Sequence, residues 1–135
     1  MNLAVLVSVL ILIIEIRQNH EYTVAQTRND ISQQEIERRY HLGSEDLAPI
    51  ILKARNGEQL TELESYKLNQ MREVLFQMYE NIIFQHSKGL YSEEEFEVLR
   101  NGMANLSPGM RDLYIQNRDS YAPSLREIFD EFVEQ

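Results

Sequence analysis

Residues 3–14 read LAVLVSVLILII, an apolar run broken only by Ser8, and no basic residue precedes it. A helix through such a run has three outlets: a lipid bilayer, a protein core, or removal as a leader. A leader needs a positive start and small residues at a cleavage point close behind the run. Here the lead is Met1-Asn2, the run is followed by EIRQNHEY, and Thr23-Val24-Ala25 lies about ten residues too far on. A buried core helix is the second rival. The preferred reading is a membrane anchor, with Leu3, Val5, Leu6, Val7, Val9, Leu10, Ile11, Leu12, Ile13 and Ile14 facing lipid. At about 1.5 Å per residue, residues 1–16 cover roughly 24 Å of a hydrocarbon core of about 30 Å. The segment is short for a span. Local thinning, an amino terminus among the headgroups, or a start set too late would each close the gap.

After Glu15 the chain is mixed in polarity and acidic overall. Of the formal charge of −9, residues 15–41 contribute five acids against four bases, and residues 42–135 contribute seventeen against nine. A body of charge −8 repels phosphate backbones, so nucleic acid is not expected as a partner. Arg17, Arg28, Arg38 and Arg39 follow the run and none precedes it, which by the positive-inside rule puts the body in the cytoplasm. The chain has no cysteine, hence no disulfide, thiolate metal site or thiol nucleophile.

The body reads as helices throughout. Ile16, His20, Val24, Thr27 and Ile31 recur at helical steps, and Ser32-Gln33-Gln34-Glu35 fits a capping box that predicts a break near Asn29-Asp30. Gly43 ends that stretch. Ser44 or Asp46 caps a short helix with Pro49 near its first turn, stopping at Asn56-Gly57. Thr61–Glu64 is a second capping box, and Gly89 closes the central helix, whose stripe is Leu68, Met71, Leu75, Met78 and Ile82 flanked by Val74, Tyr79 and Ile83. Ser92–Glu95 is a third box, before Phe96, Val98, Leu99 and Met103. Ser107-Pro108 opens a helix with Met110, Leu113 and Tyr114, and Ala122-Pro123 opens one with Leu125, Ile128, Phe129, Phe132 and Val133. The fold class is all-α: a short transmembrane helix extending into a small helical bundle, divided as anchor 1–16, helical extension 17–41 and bundle 42–135.

Motifs for chemistry are missing. There is no HExxH, P-loop, GxGxxG or GxSxG pattern, and no Glu-x-x-His pairs for a carboxylate-bridged metal bundle. Glu37 and His41 share a helix face, which reads as a solvated surface. Glu93, Glu94, Glu95 and Glu97 suit the positive end of a helix better than a cation. Tyr79, Phe84, Tyr91 and Phe96 are expected to pack the turn around Gly89. The one candidate polar contact set is Asn81, Gln85 and His86, with Asn81 and Gln85 four apart on one face. No catalytic residue, metal ligand or cofactor is assigned.

Ile16-Arg17-Gln18-Asn19 after the apolar run, YENIIFQHSKGLYSEEEF at 79–96 and SPGMRDLYIQNRDSYAPSLREIFDEFVEQ at 107–135 together resemble a family of small bacterial proteins of unknown function. Its members carry an amino-terminal apolar helix running into an I-R-Q-N segment and then a helical domain. The likeness covers most of the chain and implies architecture, without an activity to carry over; members often have a longer apolar segment, so this chain is expected to start late. The expectation is a single-pass protein of the bacterial inner membrane with a cytoplasmic body, an interaction module for a second copy or a protein partner and not an enzyme. Two alternatives stand beside it: a small-ligand binder or enzyme with a site between helices near residues 79–96, and a periplasmic or secreted protein after leader cleavage.

Overall fold

A computed structural model of the chain describes residues 2–133. It is all-α, with six α-helices and one 3-10 turn among the described residues. The first helix, α1, runs unbroken over Leu3–Leu42, 40 residues and so about 60 Å long. The break expected near Asn29-Asp30 is absent. No glycine or proline interrupts the segment, and extending an existing helix costs less than nucleating a new one. Ser32 and Glu35 are therefore mid-helix, and Glu35 binds Arg38 and Arg39 instead of forming a cap.

Five further helices complete the body. Helix α2, Ala48–Arg55, carries Pro49 in its first turn, and Ser44 Oγ accepts from the Leu47 N–H just ahead of it (3.3 Å). Helix α3 spans Glu62–Ser87 behind a full capping box: Thr61 Oγ1 accepts from the Glu64 N–H and Glu64 accepts from the Thr61 N–H. It ends in a Schellman motif at Gly89, whose φ of +69° suits a residue without Cβ. Helix α4, Glu93–Ala104, is capped at Ser92 only one way; the Glu95 carboxylate takes the Ser92 hydroxyl and Arg28 rather than the Ser92 N–H. Helix α5, Pro108–Asn117, leads through a 3-10 turn at Arg118–Ser120 to α6, Pro123–Val133.

The core is aromatic and centres on α3. Phe76 is fully buried, with its ring centroid 4.9 Å from Tyr121 and 5.4 Å from Phe129, and Tyr114 stacks on Tyr121. The predicted stripe needs rotating to fit this. Leu68, Tyr79, Ile82 and Ile83 are buried and Leu75 and Met78 partly so, but Val74 is 56 % exposed. Phe76 lies about 200° around the helix from Val74, and α5 and α6 pack on its side. Val98 on α4 points out for the same reason, opposite Phe96, and Phe84 turns to solvent under the Lys88 ammonium. From α1, Ile31 joins the core.

Polar ties hold the carboxy-terminal corner against α3. Glu73 accepts from the Tyr121 hydroxyl (2.9 Å) and the Asn117 amide (2.7 Å), and Glu80 accepts from the Ala122 N–H at the head of α6 (2.6 Å). Asp130 accepts from Tyr114 and Arg118, and the Arg118 bonds hold its pKa down to about 2. The hydroxyls of the buried Tyr114 and Tyr121 are satisfied in this way, whereas the Arg118–Asp130 pair lies at the surface.

Candidate functional site

The amino-terminal part of α1 stands clear of the bundle. Asn2 Oδ1 caps the helix at the Ala4 N–H, and the Ser8 hydroxyl donates to the Ala4 carbonyl (2.9 Å). The only polar side chain between Leu3 and Ile14 is thus satisfied within its own helix, as a lipid environment requires. All ten large apolar residues there are exposed, from Leu6 at 39 % to Leu3 at 74 %. An 18-residue window of α1 reaches a mean hydropathy of 1.6, and none of that window is buried. Eighteen residues span about 27 Å, close to a hydrocarbon core. The described residues therefore contain one helix long and apolar enough to cross a membrane, and its apolar window takes no part in the core of this bundle.

Beyond Ile14 the helix becomes a polar stalk. The stripe Ile16, His20, Val24, Thr27, Ile31 starts exposed and becomes fully buried only at Ile31. Arg17 pairs with Glu21 in solvent, whereas Arg28 reaches Glu95 at the start of α4 (2.8 Å). Arg38 forks onto Glu35, and those bonds, with a further one from Arg39, hold the Glu35 carboxyl below its usual range. The four arginines counted for orientation thus all have carboxylate partners, three of them within α1 itself.

Asn81, Gln85 and His86 do not converge. Gln85 Nε2 donates to Asn81 Oδ1 at 3.4 Å, a long bond along one face of α3. His86, about 100° further round, turns to α4, where it meets Glu93 (2.8 Å) and lies flat on Phe96, centroids 3.9 Å apart. That stack closes the gap between His86 and Phe96, while a groove of about 560 Å³ runs along the other side of the hairpin, lined by Tyr79, Ile82, Tyr91 and Glu95 together with α1. The acidic cluster is similarly engaged: Glu93 with His86, Glu95 with Arg28 and Ser92, Glu97 with Arg100. No grouping of three or more His, Asp or Glu side chains suited to a metal occurs among the described residues.

Sequence reasoning found the apolar helix but missed Glu73, Glu80 and Arg72, whose partners lie on distant elements or, for Arg72, against a glycine of α5. No local pattern marks them. Compared with protein-family models, with curated proteins and with solved structures, the chain matches none of them.

Proposed function

We propose that this chain is a single-pass protein of the bacterial inner membrane, anchored by residues 3–16, whose cytoplasmic helical body is a non-catalytic assembly module for a second copy or a protein partner. The observation that carries the reading is the wholly exposed apolar stretch of α1. So much contiguous apolar surface is costly in water and marks a membrane or interaction site. Its backbone and its one hydroxyl need nothing from water, which favours lipid over a partner's polar groove. Orientation rests on the basic residues that follow the span, Arg17 and Arg28 first. The bundle supplies a folded body whose outward residues Leu63, Tyr66 and Val74 on α3 offer contact surface.

The absence of cysteine makes the topology easy to read. A Gln59→Cys variant places one thiol in the exposed loop between α2 and α3. We expect it to label with a membrane-impermeant reagent only after lysis, on protein that stays in membranes through an alkaline wash. Labelling in cells with only the outer membrane opened would reverse the orientation, and release by alkali would remove the anchor. For assembly, extraction in a mild detergent should retain self-association or one reproducible partner; a monomer without partners contradicts the module.

A further inference from the structure

A cleft of about 720 Å³ lies where the end of α1, α2, α3 and the head of α5 meet. Its floor is apolar, with Leu68 and Met110 buried and Ile51, Met71 and Leu75 half-buried beside them. Its charged lining residues are Arg38, Arg55 and Arg72, and no Asp or Glu lines it. In a chain with 22 acids and 13 bases, three arginines around one apolar cleft run against the composition. The groove on the other side of Arg38, between α1 and the α3–α4 pair, is by contrast lined by Glu35 and Glu95 as well as arginines.

Two of the three arginines are unneutralised. Arg38 is engaged by Glu35, but Arg55 and Arg72 form no ion pair among the described residues. Arg72 donates only to the Asn69 amide oxygen (3.0 Å), and its nearest influential carboxylate, Asp112, neither lines the cleft nor comes within ion-pair distance. Its guanidinium lies against Gly109, where a Cβ would overlap it, and is half-buried there. Burial pushes the Arg72 pKa down, against the smaller opposing effect of the Asp112 charge. The first turn of α5 beside it adds the Gly109 N–H and the positive end of a helix dipole, Pro108 having no N–H and the Met110 N–H donating to the Ser107 carbonyl, and the Ser107 side chain makes no capping bond. A partly desolvated cation facing another positive pole is unfavourable unless an anion joins them.

We infer that this cleft binds an amphiphilic anion, one phosphate or carboxylate group held between Arg72 and Arg55 with a short aliphatic body lying on Leu68, Met71 and Met110. A guanidinium fork matches either anion bidentately, and the volume is that of a small-molecule site. The inference goes beyond the anchor reading and does not rest on it. If α1 stands upright, Arg38 lies about 33 Å beyond Ile16, which puts the cleft out of reach of a headgroup in the anchoring bilayer and points to a soluble source.

The test is a titration of the full chain in nanodiscs of neutral phosphatidylcholine with hexyl phosphate, read from the arginine Nε–Hε and methionine methyl NMR signals. Saturable shifts at Arg72, Arg55, Met71 and Met110 are expected, with inorganic phosphate at least tenfold weaker and hexanol silent. Arg72→Gln should weaken binding at least tenfold and Arg55→Gln severalfold, while Lys88→Gln at the far turn leaves it unchanged. Gly109→Ala, which favours the helix yet displaces the guanidinium, should weaken it without loss of fold. No saturable shift, or equal binding by the wild-type chain and both arginine variants, overturns the inference. Nanodiscs containing phosphatidylglycerol separate the sources: unchanged arginine signals there mean a soluble anion, and shifts without hexyl phosphate mean a lipid headgroup reaches the same cleft. A chain that does not enter nanodiscs counts against the anchor alone, and the titration is then made on the free chain.

Discussion

Residues 3–16 of α1 and the cluster around Phe76 are both built of large apolar side chains, yet the first are exposed along their whole length and the second have left water almost completely. The difference lies in shape. The cluster mixes rings from α3, α5 and α6 that interlock from three sides, so each finds partners within the chain. Residues 3–14 are apolar all the way round apart from Ser8, and none of them is buried by another element among the described residues. A helix with one apolar face can be satisfied by a bundle; one without a polar face needs an apolar solvent or burial on every side. One chain therefore contains two hydrophobic problems, one solved by folding and one that folding leaves exposed, which the proposed membrane anchor would resolve.

That contrast can be broken from either side. Leu10→Arg combined with Ile11→Arg puts two charges at the middle of the span, each costing about 3 kcal/mol of insertion. We expect loss from the alkali-washed membrane fraction with the bundle's melting temperature unchanged; a parallel drop in melting temperature would mean that the span supports the bundle. Phe129→Ala is the mirror experiment. It removes a fully buried ring that meets Phe76, Tyr79 and Tyr114, at a cost of about 3–5 kcal/mol, and should melt the bundle while the protein remains in the membrane.

Smaller effects sharpen the comparison. Thr61→Ala removes the hydroxyl that caps α3 and should lower stability in urea by about 1 kcal/mol, with no change in membrane partition. The pH response should also divide the molecule. Glu64, bonded by Lys53 and the Thr61 N–H, and Asp130, bonded by Arg118 and Tyr114, both have pKa values lowered to about 2. Carboxylates depressed in the folded state add stability above their unfolded pKa of about 4 and lose it as pH falls toward 2. The bundle's melting temperature should therefore decline over that window, less steeply in Asp130→Asn, while the span, which has no titratable group from Leu3 to Ile14, stays helical.

Much of this was legible in the sequence because its causes are local. Thr61 and Glu64 cap α3 as their spacing says, Ser107-Pro108 starts α5, and Gly57 and Gly89 sit at left-handed helix ends after Asn56 and Lys88. The apolar run needs no tertiary information to be recognised as helical and uncovered by polar residues. Where local reading failed, a competing long-range term prevailed. Ser32 and Glu35 have the form of a capping box, but with nothing to interrupt the helix the Glu35 carboxylate went to Arg38 and Arg39. Ser92 and Glu95 formed only half of theirs because Arg28 from α1 claimed the carboxylate. Asn81, Gln85 and His86 are neighbours in sequence and separate in function, since a helix turns His86 toward Phe96 and leaves the other two to each other.

The sequence by itself determined the helices, most of their ends, the acidic body and the uncovered apolar segment, because backbone hydrogen bonds, caps and hydropathy act over a few residues. Tertiary structure decided which face of α3 is inside, placing Phe76 in the core and Val74 in solvent. It also decided that Glu73 and Glu80 hold a corner some forty residues away, and that Arg38, Arg55 and Arg72 share a cleft without a carboxylate. Those outcomes depend on how five helices pack and on the angles at which they meet, and no spacing along the chain encodes a distance across it.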